Sequence, residues 1–247
     1  MFATAQSKYL HIYDNQGIEL HCMRDHNEPV KLDYLPYHFL LVSGSKLGTL
    51  RWLDVSMGQT AAEARTKKGE MLCMTQNRMN GVMALGHSNG EVTMWTPNMG
   101  NTPVVKLLAH PSAPVSDLAI SRNGTYMATV GKDSRLKIWD IRSTYKCLYD
   151  YFTPAPASSV DFSDKGLVAC AFGNEVQVWK NSATEKQKMP YMKHKVASGS
   201  QVTDLKFCPY EDVLSVGHAQ GYSSLVIPGS GEANFDAYEA NPFETKR

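Results

Sequence analysis

Three things are scarce in this chain of 247 residues: cysteine, an excess of charge of one sign, and long apolar runs. Its 5 cysteines are scattered and never form a CxxC pair, so neither a disulfide framework nor a zinc site is expected. Lys and Arg number 25 against 24 Asp and Glu, which excludes a polybasic nucleic-acid clamp but leaves room for a local basic patch. No apolar run reaches the roughly 18 residues that a membrane span needs.

The start of the chain and its overall composition further limit the class of protein to which it can belong. The first residues lack a charged region followed by an apolar stretch, so no secretory signal is predicted. Hydrophobic residues make up 43% of the chain and charged residues 20%, which argues against disorder. We therefore expect a soluble globular protein of a reducing, intracellular compartment, without a membrane partner.

The chain repeats itself around its four tryptophans, Trp52, Trp95, Trp139 and Trp179, which lie 40 to 44 residues apart. Before each one comes a glycine-containing turn and a short alternating segment, as in GHSNGEVTMW and GKDSRLKIW. Two weaker copies place Tyr13 and Val226 at the tryptophan position. A repeat of about 43 residues with this signature is typical of the four-stranded blade of a WD40 β-propeller. The predicted fold is all-β, with about six blades represented.

The fourth copy predicts its strands most clearly. Residues 114–120 alternate, Tyr126 to Val130 and Arg135 to Trp139 follow, and residues 145–149 form the outer strand. In this copy His110, Thr129, Asp133 and Trp139 occupy the positions of the structural tetrad of WD40 proteins. Buried indole and carboxyl groups need hydrogen-bond partners, so we interpret these four as structural.

The number of copies falls short of a complete propeller. Seven blades, the usual number, need about 300 residues at this repeat length, and Phe2 already lies in the second strand of the first blade. We expect a fragment, or a truncated gene model, whose N-terminal part completes the propeller. The propeller is assigned to residues 1–228, and an extended segment that opens at a flexible Gly-Ser-Gly break to residues 229–247.

The motifs give no support for an enzyme. Residues 86–90, GHSNG, match the nucleophile elbow of hydrolases, but that elbow needs a following helix and residues 91–95 alternate as a strand. The 8 histidines lack metal-binding i,i+3 or i,i+4 spacing, and phosphate-binding loops are absent. We predict no catalytic residues, cofactor, metal or small-molecule substrate.

Two basic clusters are candidates for RNA contact, since phosphate binding needs exposed positive charge. One has Tyr191 and Met192 interleaved among its lysines, which favours it slightly. The candidate residues are Arg65, Lys67 and Lys68 in the first cluster and Lys186, Lys188, Lys193 and Lys195 in the second.

A second function remains open. Trp139-Asp140-Ile141-Arg142 fits the WDxR motif by which some propellers dock to cullin-type ubiquitin ligases as substrate receptors. The motif is short and frequent in this repeat family, so a structural interpretation is favoured.

Several longer stretches resemble one family. They include LGHSNGEVTMW, GTYMATVGKDSRLKIWDIR, FCPYEDVLSVGH and, above all, VIPGSGEANFDAYEANPF at residues 226–243. These resemble the nucleolar WD-repeat component of the small-subunit processome that bears the BING-four C-terminal signature. The last stretch is specific, because nothing in the physics of a blade requires it.

The resemblance implies a non-catalytic scaffold of the U-three snoRNA-containing particle in the nucleolus of the nucleus. Such a scaffold supports ribosome biogenesis and processing of the small-subunit rRNA precursor. Its partners are expected to be other processome proteins and the pre-ribosomal RNA particle. Aromatic and amide side chains of the C-terminal segment are predicted to dock on a partner: Asn234, Phe235, Tyr238, Asn241 and Phe243.

Overall fold

A computed structural model describes residues 1–26, 28–180, 182–197 and 199–232. Over these residues the chain is built of antiparallel strands, with one short 3₁₀ turn at Pro97–Met99 as its helical element. Nothing in the described part of the chain forms a helix long and apolar enough to cross a membrane. The predicted all-β fold is therefore observed.

The chain divides into two compact units, Met1–Val115 and Ser116–Arg247. The first unit contains one three-stranded and two four-stranded sheets, which we call blades 1 to 3. Their strands are β1 (Phe2–Ala5), β2 (Leu10–Tyr13) and β3 (Glu19–Met23) in blade 1; β4 (Pro29–Leu35), β5 (Leu40–Ser45), β6 (Thr49–Asp54) and β7 (Gln59–Arg65) in blade 2; and β8 (Met71–Gln76), β9 (Met83–His87), β10 (Glu91–Trp95) and β11 (Val105–Leu108) in blade 3.

The second unit holds blades 4 to 6, the last of them with three described strands. Its strands, the first of which begins at the boundary, are β12 (Val115–Ile120), β13 (Tyr126–Gly131), β14 (Arg135–Asp140) and β15 (Cys147–Phe152) in blade 4; β16 (Ala157–Phe162), β17 (Val168–Phe172), β18 (Glu175–Trp179) and β19 (Met192–Lys195) in blade 5; and β20 (Val202–Phe207), β21 (Val213–His218) and β22 (Gly221–Val226) in blade 6. Within each sheet, every strand is hydrogen-bonded to the next strand in sequence.

The repeated tryptophans lie where the sequence pattern places them, on the third strand of blades 2 to 5. Within the first unit Trp52 and Trp95 pack in one apolar cluster with Leu35, Met71 and Leu85. In the second unit the matching cluster contains Trp179 and Phe172 of blade 5. Burying side chains of this size supplies a large part of the apolar stabilisation of each sheet.

One local prediction differs from the structure. The outer strand of blade 4 runs over Cys147–Phe152, two residues later than predicted. The carboxylate of Asp140 accepts hydrogen bonds from the backbone and side chain of Ser143, and Tyr145 adopts φ +52, so the turn extends past residue 145.

Candidate nucleic-acid interface

The second basic cluster lies on the outer strand of blade 5. Strand β19 is the last strand of its sheet and pairs on one side with β18. Tyr191, Lys193 and Lys195 are exposed, while Met192 and His194 between them are half-buried. Side chains two residues apart share a face of a strand, so the tyrosine and both lysines point outward together.

Two tyrosines of blade 4 fix the loop that leads into this strand. The hydroxyl of Tyr149 donates a hydrogen bond to the carbonyl of Thr184 at 2.9 Å. The backbone N–H of Gln187 donates to the hydroxyl of Tyr151 at 3.2 Å, and that hydroxyl lies 3.3 Å from the carbonyl of Ser182. Lys186 and Lys188 flank Gln187 and are exposed. The loop therefore presents its lysines from an anchored backbone.

The charge of this surface is not neutralised within the described part of the chain. Lys186, Lys188, Lys193 and Lys195 form no ion pair with any carboxylate there. Glu175 lies opposite Lys195 across the strand pair, but its carboxylate accepts a hydrogen bond from Gln177 at 2.9 Å. We call these four lysines together with Tyr191 the blade-5 basic surface.

The first basic cluster, by contrast, is largely paired with acids. Nε of Arg65 lies 3.4 Å from Glu63, and Nζ of Lys68 lies 3.1 Å from Glu91. The hydrogen bond from Lys68 lowers the pKa of the Glu91 carboxyl, so this acid stays ionised at neutral pH. Lys67 is exposed, so two of the three basic residues of this cluster lie beside a carboxylate.

The blade-5 basic surface has the chemistry of a single-stranded nucleic-acid contact. Exposed ammonium groups attract phosphates, and an exposed tyrosine ring offers a stacking surface for a base. The Nζ of Lys180 lies 5.8 Å from the centre of the Tyr191 ring, which adds a further cation beside that ring. The lysines and the aromatic residue predicted from the sequence are therefore brought together, and contact with RNA stays a prediction.

Part of the predicted tetrad of blade 4 is visible in the structure. The indole N–H of Trp139 donates a hydrogen bond to Oγ1 of Thr129 at 3.0 Å, and both residues are buried. His110 is fully buried and Asp133 is half-buried, as structural residues would be. The complete four-residue relay stays a prediction.

The indole groups of Trp95 and Trp52 are in different surroundings, which could not be predicted from the sequence. In blade 3 the hydroxyl of Thr93 accepts from the indole of Trp95 at 2.8 Å and shares a hydrogen bond with His87 at 2.7 Å. In blade 2 the residue matching Thr129 is Gly44, and the buried indole nitrogen of Trp52 has no hydrogen-bond partner. The signal for Thr93 was its position two residues before Trp95, on the same strand face.

The pentapeptide GHSNG forms the hairpin turn between β9 and β10, and no helix follows it. Ser88 is exposed, and its backbone N–H donates to the carbonyl of Glu70 at 3.0 Å. Burial lowers the pKa of the His87 imidazole to about 4, and its ring is committed to Thr93. This turn lacks the strand–turn–helix context of a nucleophile elbow.

The carboxylate of Asp140, the aspartate of the WDxR motif, stabilises the turn in which it lies. The carboxylate of Asp140 accepts hydrogen bonds from the backbone N–H of Arg142 at 2.9 Å and from the hydroxyl of Thr144 at 3.0 Å. The bond from Arg142 is the largest of the contacts that lower the pKa of Asp140 to about 2. Asp54 holds the equivalent turn of blade 2 through Ser56, so this aspartate has a structural role.

The chain after blade 6 is held by a carboxylate. The backbone N–H groups of Gly229 and Gly231 donate to Asp212 at 3.1 and 2.7 Å, and Ser230 is buried. Residues 229–231, which the composition assigned to a flexible break, are therefore anchored. The predicted docking residues Asn234, Phe235, Tyr238, Asn241 and Phe243 lie outside the residues that the structure describes.

Comparison with known proteins agrees with this repeat architecture. Residues 101–140 match the model of the WD domain, G-beta repeat, and residues 190–247 match the BING4CT (NUC141) domain. The chain is 47% identical to the U3 small nucleolar RNA-associated protein 7 of Saccharomyces cerevisiae, and this match covers 100% of the chain. The chain therefore carries a BING4CT domain and a WD repeat. The resemblance noted in the sequence is confirmed.

A second relative of this BING4CT protein is the human WD repeat-containing protein 46, 43% identical over 100% of the chain. The chain spans 47% of the yeast relative and 40% of the human one, less than half the length of either. A chain in a structure titled "Crystal Structure of Mitotic Checkpoint Complex" shares the fold, with a TM-score of 0.73 at 19% identity over 94% of this chain and 77% of that one. None of these findings supports the ubiquitin-ligase alternative.

Proposed function

We propose that this BING4CT protein is a non-catalytic scaffold of the small-subunit processome in the nucleolus, where it supports processing of the small-subunit rRNA precursor. The observation that carries the proposal is similarity along the whole chain to a relative named for association with U3 small nucleolar RNA. The partners are other processome proteins and the pre-ribosomal RNA particle.

The blade-5 basic surface is proposed as the direct RNA contact of this scaffold. Four unpaired lysines around an exposed tyrosine favour this surface over the ion-paired cluster at residues 65–68. The phosphates of a flexible RNA segment bind the lysines, and a base stacks on Tyr191. The anchored loop reduces the entropy lost when Lys186 and Lys188 engage phosphate.

The absence of a catalytic role is proposed on chemical grounds. The pentapeptide that resembles a hydrolase motif is a hairpin turn whose histidine is buried against Thr93. Its serine is exposed, and no residue that the structure describes there is arranged to take the serine proton. A substitution Ser88→Ala should therefore leave both particle assembly and stability unchanged.

Docking of the C-terminal segment on a neighbouring processome protein is proposed for Phe235 and Phe243, supported by Asn234, Tyr238 and Asn241. Three aromatic residues within nine positions are unusual for a solvated tail. Replacing both phenylalanines with Ala in the full-length protein should reduce its incorporation into pre-ribosomal particles. Unchanged incorporation would mean that the segment is only a linker.

Two triple charge-reversal variants, one in each basic cluster, test the RNA contact in the full-length protein. Changing Lys188, Lys193 and Lys195 to Glu should reduce ultraviolet crosslinking to pre-ribosomal RNA and weaken binding to a single-stranded RNA oligonucleotide. The matched control changes Arg65, Lys67 and Lys68 to Glu, which alters the net charge equally. Sedimentation of each variant with large pre-ribosomal particles is measured in parallel.

The outcomes separate the proposed RNA contact of blade 5 from the proposed scaffold function. Equal crosslinking losses in both triple variants would contradict a specific blade-5 contact. Failure of the wild-type protein to sediment with pre-ribosomal particles would contradict the scaffold function itself. Crosslinking lost only in the blade-5 variant, with sedimentation dependent on RNA, supports both.

A further inference from the structure

A histidine, a glutamate and a cysteine converge on one face of blade 1. His11 lies on β2, and Glu19 and Cys22 lie on β3. One ligand atom from each residue lies within 4.8 Å of the other two. Nδ1 of His11 is 3.4 Å from Oε2 of Glu19, and Nε2 is 3.9 Å from Sγ of Cys22.

Strand pairing explains how these three side chains meet. His11 and Cys22 are direct cross-strand partners, so their side chains share one face. The register then shifts between Ile12 and Tyr13, so that Tyr13 lies opposite Glu19 and Leu20 is skipped. In regular pairing Leu20 would face Tyr13 and Glu19 would point to the opposite side. The bulge therefore turns Glu19 toward His11 and Cys22.

The imidazole of His11 is held in place by stacking, but one of its nitrogens makes no hydrogen bond. The ring of Tyr13 stacks on that of His11 at 6.2 Å, and Phe2 stacks on Tyr13 at 5.3 Å. Nδ1 of His11 is buried and makes no hydrogen bond, since its 3.4 Å approach to Glu19 lacks the required geometry. The nitrogen that faces Glu19 is therefore available as a metal ligand.

We propose that His11, Glu19 and Cys22 form a zinc-binding site on the surface of blade 1. Imidazole nitrogen, thiolate sulfur and carboxylate oxygen are the donor types that Zn²⁺ takes in proteins. A hard cation such as Mg²⁺ prefers an all-oxygen set and would not select the thiol. The assignment is independent of the ribosomal function proposed above.

The distances suit tetrahedral zinc after a small movement of one flexible side chain. Bonds of about 2.0 Å to nitrogen and oxygen and 2.3 Å to sulfur place tetrahedral ligand atoms roughly 3.3–3.6 Å apart. The separation of 3.4 Å between His11 and Glu19 fits this geometry. Zinc binds one ring nitrogen, so with Nδ1 of His11 as the ligand the side chain that has to rotate is Cys22, whose Sγ lies 3.9 Å from the other nitrogen, Nε2. Water supplies the fourth position.

Binding is expected to release one proton and to cross-link two strands. The thiol of Cys22 loses its proton to solvent as the S–Zn bond forms. The ion then ties β2 to β3 in a blade with only three described strands. The spacing rules that we applied to the sequence describe helical sites, and a pair of ligands facing each other across strands escapes them.

Zinc titration of the reduced, metal-free chain tests the site, with a chromophoric chelator as competitor. We expect one Zn²⁺ per chain. Affinity should fall in Cys22→Ser and His11→Gln by at least the roughly 10–100-fold that losing an outer-shell partner costs. The exposed thiol Cys147 provides the matched control, and Cys147→Ser should bind zinc like the wild type. Mg²⁺ in excess should not displace the zinc.

A spectroscopic readout separates ligation from loss of fold. Co²⁺ in the site should show a thiolate-to-metal charge-transfer band that disappears in Cys22→Ser. Glu19→Gln, on an exposed side chain, should weaken zinc binding while the circular dichroism spectrum stays unchanged. The proposal is overturned if the wild type binds no zinc, or if binding and the cobalt band survive Cys22→Ser.

Discussion

The indole of Trp95 and the hydroxyl of Thr93 lie 2.8 Å apart on one face of a single strand. The same hydroxyl lies 2.7 Å from Nε2 of His87, so one threonine serves two buried polar groups. In blade 4 the equivalent indole reaches across to Thr129 on the neighbouring strand. Within this one chain, the buried indole N–H groups of Trp95 and Trp139 are therefore satisfied by threonines that lie on different strands of the blade.

Removing either of these two hydroxyls should therefore destabilise the chain. Thr129→Val leaves the indole of Trp139 without its acceptor, which we expect to cost about 1–3 kcal/mol. Thr93→Val leaves both Trp95 and His87 without their shared partner and should likewise be destabilising. Urea denaturation measures both, with Ser88→Ala as an exposed control within about 0.5 kcal/mol of wild type. A Thr93→Val variant as stable as that control would refute the assignment.

Burial of His87 makes the stability of the chain depend on pH. Its pKa is about 4 in the folded chain against 6.5 for a free imidazole, because burial disfavours the charged ring. Between these values the unfolded chain binds the proton and the folded chain does not. Stability is therefore fully present above pH 6.5 and decreases as the pH falls toward 4, by about 3 kcal/mol at most.

Denaturation at pH 7 and pH 5 checks this contribution. The loss of stability at pH 5 should be smaller in His87→Gln, which keeps a hydrogen-bonding group near Thr93 but does not titrate. Some dependence should remain, because burial and then Arg51 lower the pKa of His26 in the same direction. An identical pH dependence in wild type and variant would contradict the argument.

The repeat made the fold readable from the sequence. A glycine-containing turn, an alternating strand and a terminal tryptophan at a regular spacing located the third strand of each blade, including the weak copies that end at Tyr13 and Val226. The end of the turn before β15 could not be predicted from the sequence, because it depends on the hydrogen bonds that residues 142–144 donate to the Asp140 carboxylate. Such local carboxylate bonds have no periodicity.

Gly90 lies in a crowded turn of blade 3, and the packing of this turn can be tested by substitution. Gly90 and Gly17 both adopt φ +81, which side chains other than glycine rarely do. A Cβ at Gly90 would lie 1.9 Å from the carbonyl oxygen of His110, whereas nothing lies within 4 Å at Gly17. We expect Gly17→Ala to cost about 1–2 kcal/mol from backbone strain alone.

Gly90→Ala should cost clearly more, because the strain adds to a clash of about 1–3 kcal/mol with backbone that cannot rotate away. Both variants are compared by thermal and urea denaturation. Equal losses would mean that the loop carrying His110 moves aside freely, and the close packing of this turn would then carry no stability.

The candidate RNA surface was only partly readable. The run of lysines with Tyr191 among them was visible, and so was the cluster at residues 65–68. What distinguishes them is pairing with acids. Glu91 on β10 reaches Lys68 in the loop between β7 and β8, whereas the carboxylate of Glu175, opposite Lys195, is hydrogen-bonded to Gln177. Those contacts depend on strand register, which composition does not reveal.

Asp212 should control access of proteases to the chain after blade 6. Its carboxylate holds the backbone N–H groups of Gly229 and Gly231, and these bonds lower its pKa, that from Gly231 most strongly. The anchor is therefore present at neutral pH and is lost only as the carboxylate is protonated under acid conditions. In Asp212→Ala we expect cleavage between residues 228 and 232 to become several-fold faster at pH 7.

Glu211→Ala is the matched control for this prediction. Glu211 is the adjacent acid, and its carboxylate contacts the thiol of Cys208 instead of residues 229–231. Its backbone packs against Gly231 in both variants, so only the hydrogen bonds to Asp212 distinguish them. Limited proteolysis followed by mass spectrometry of the fragments gives the cleavage rates. Because an anchored backbone resists entry into a protease cleft, equal rates in Asp212→Ala and Glu211→Ala would show that packing against blade 6, and not the carboxylate, protects this segment.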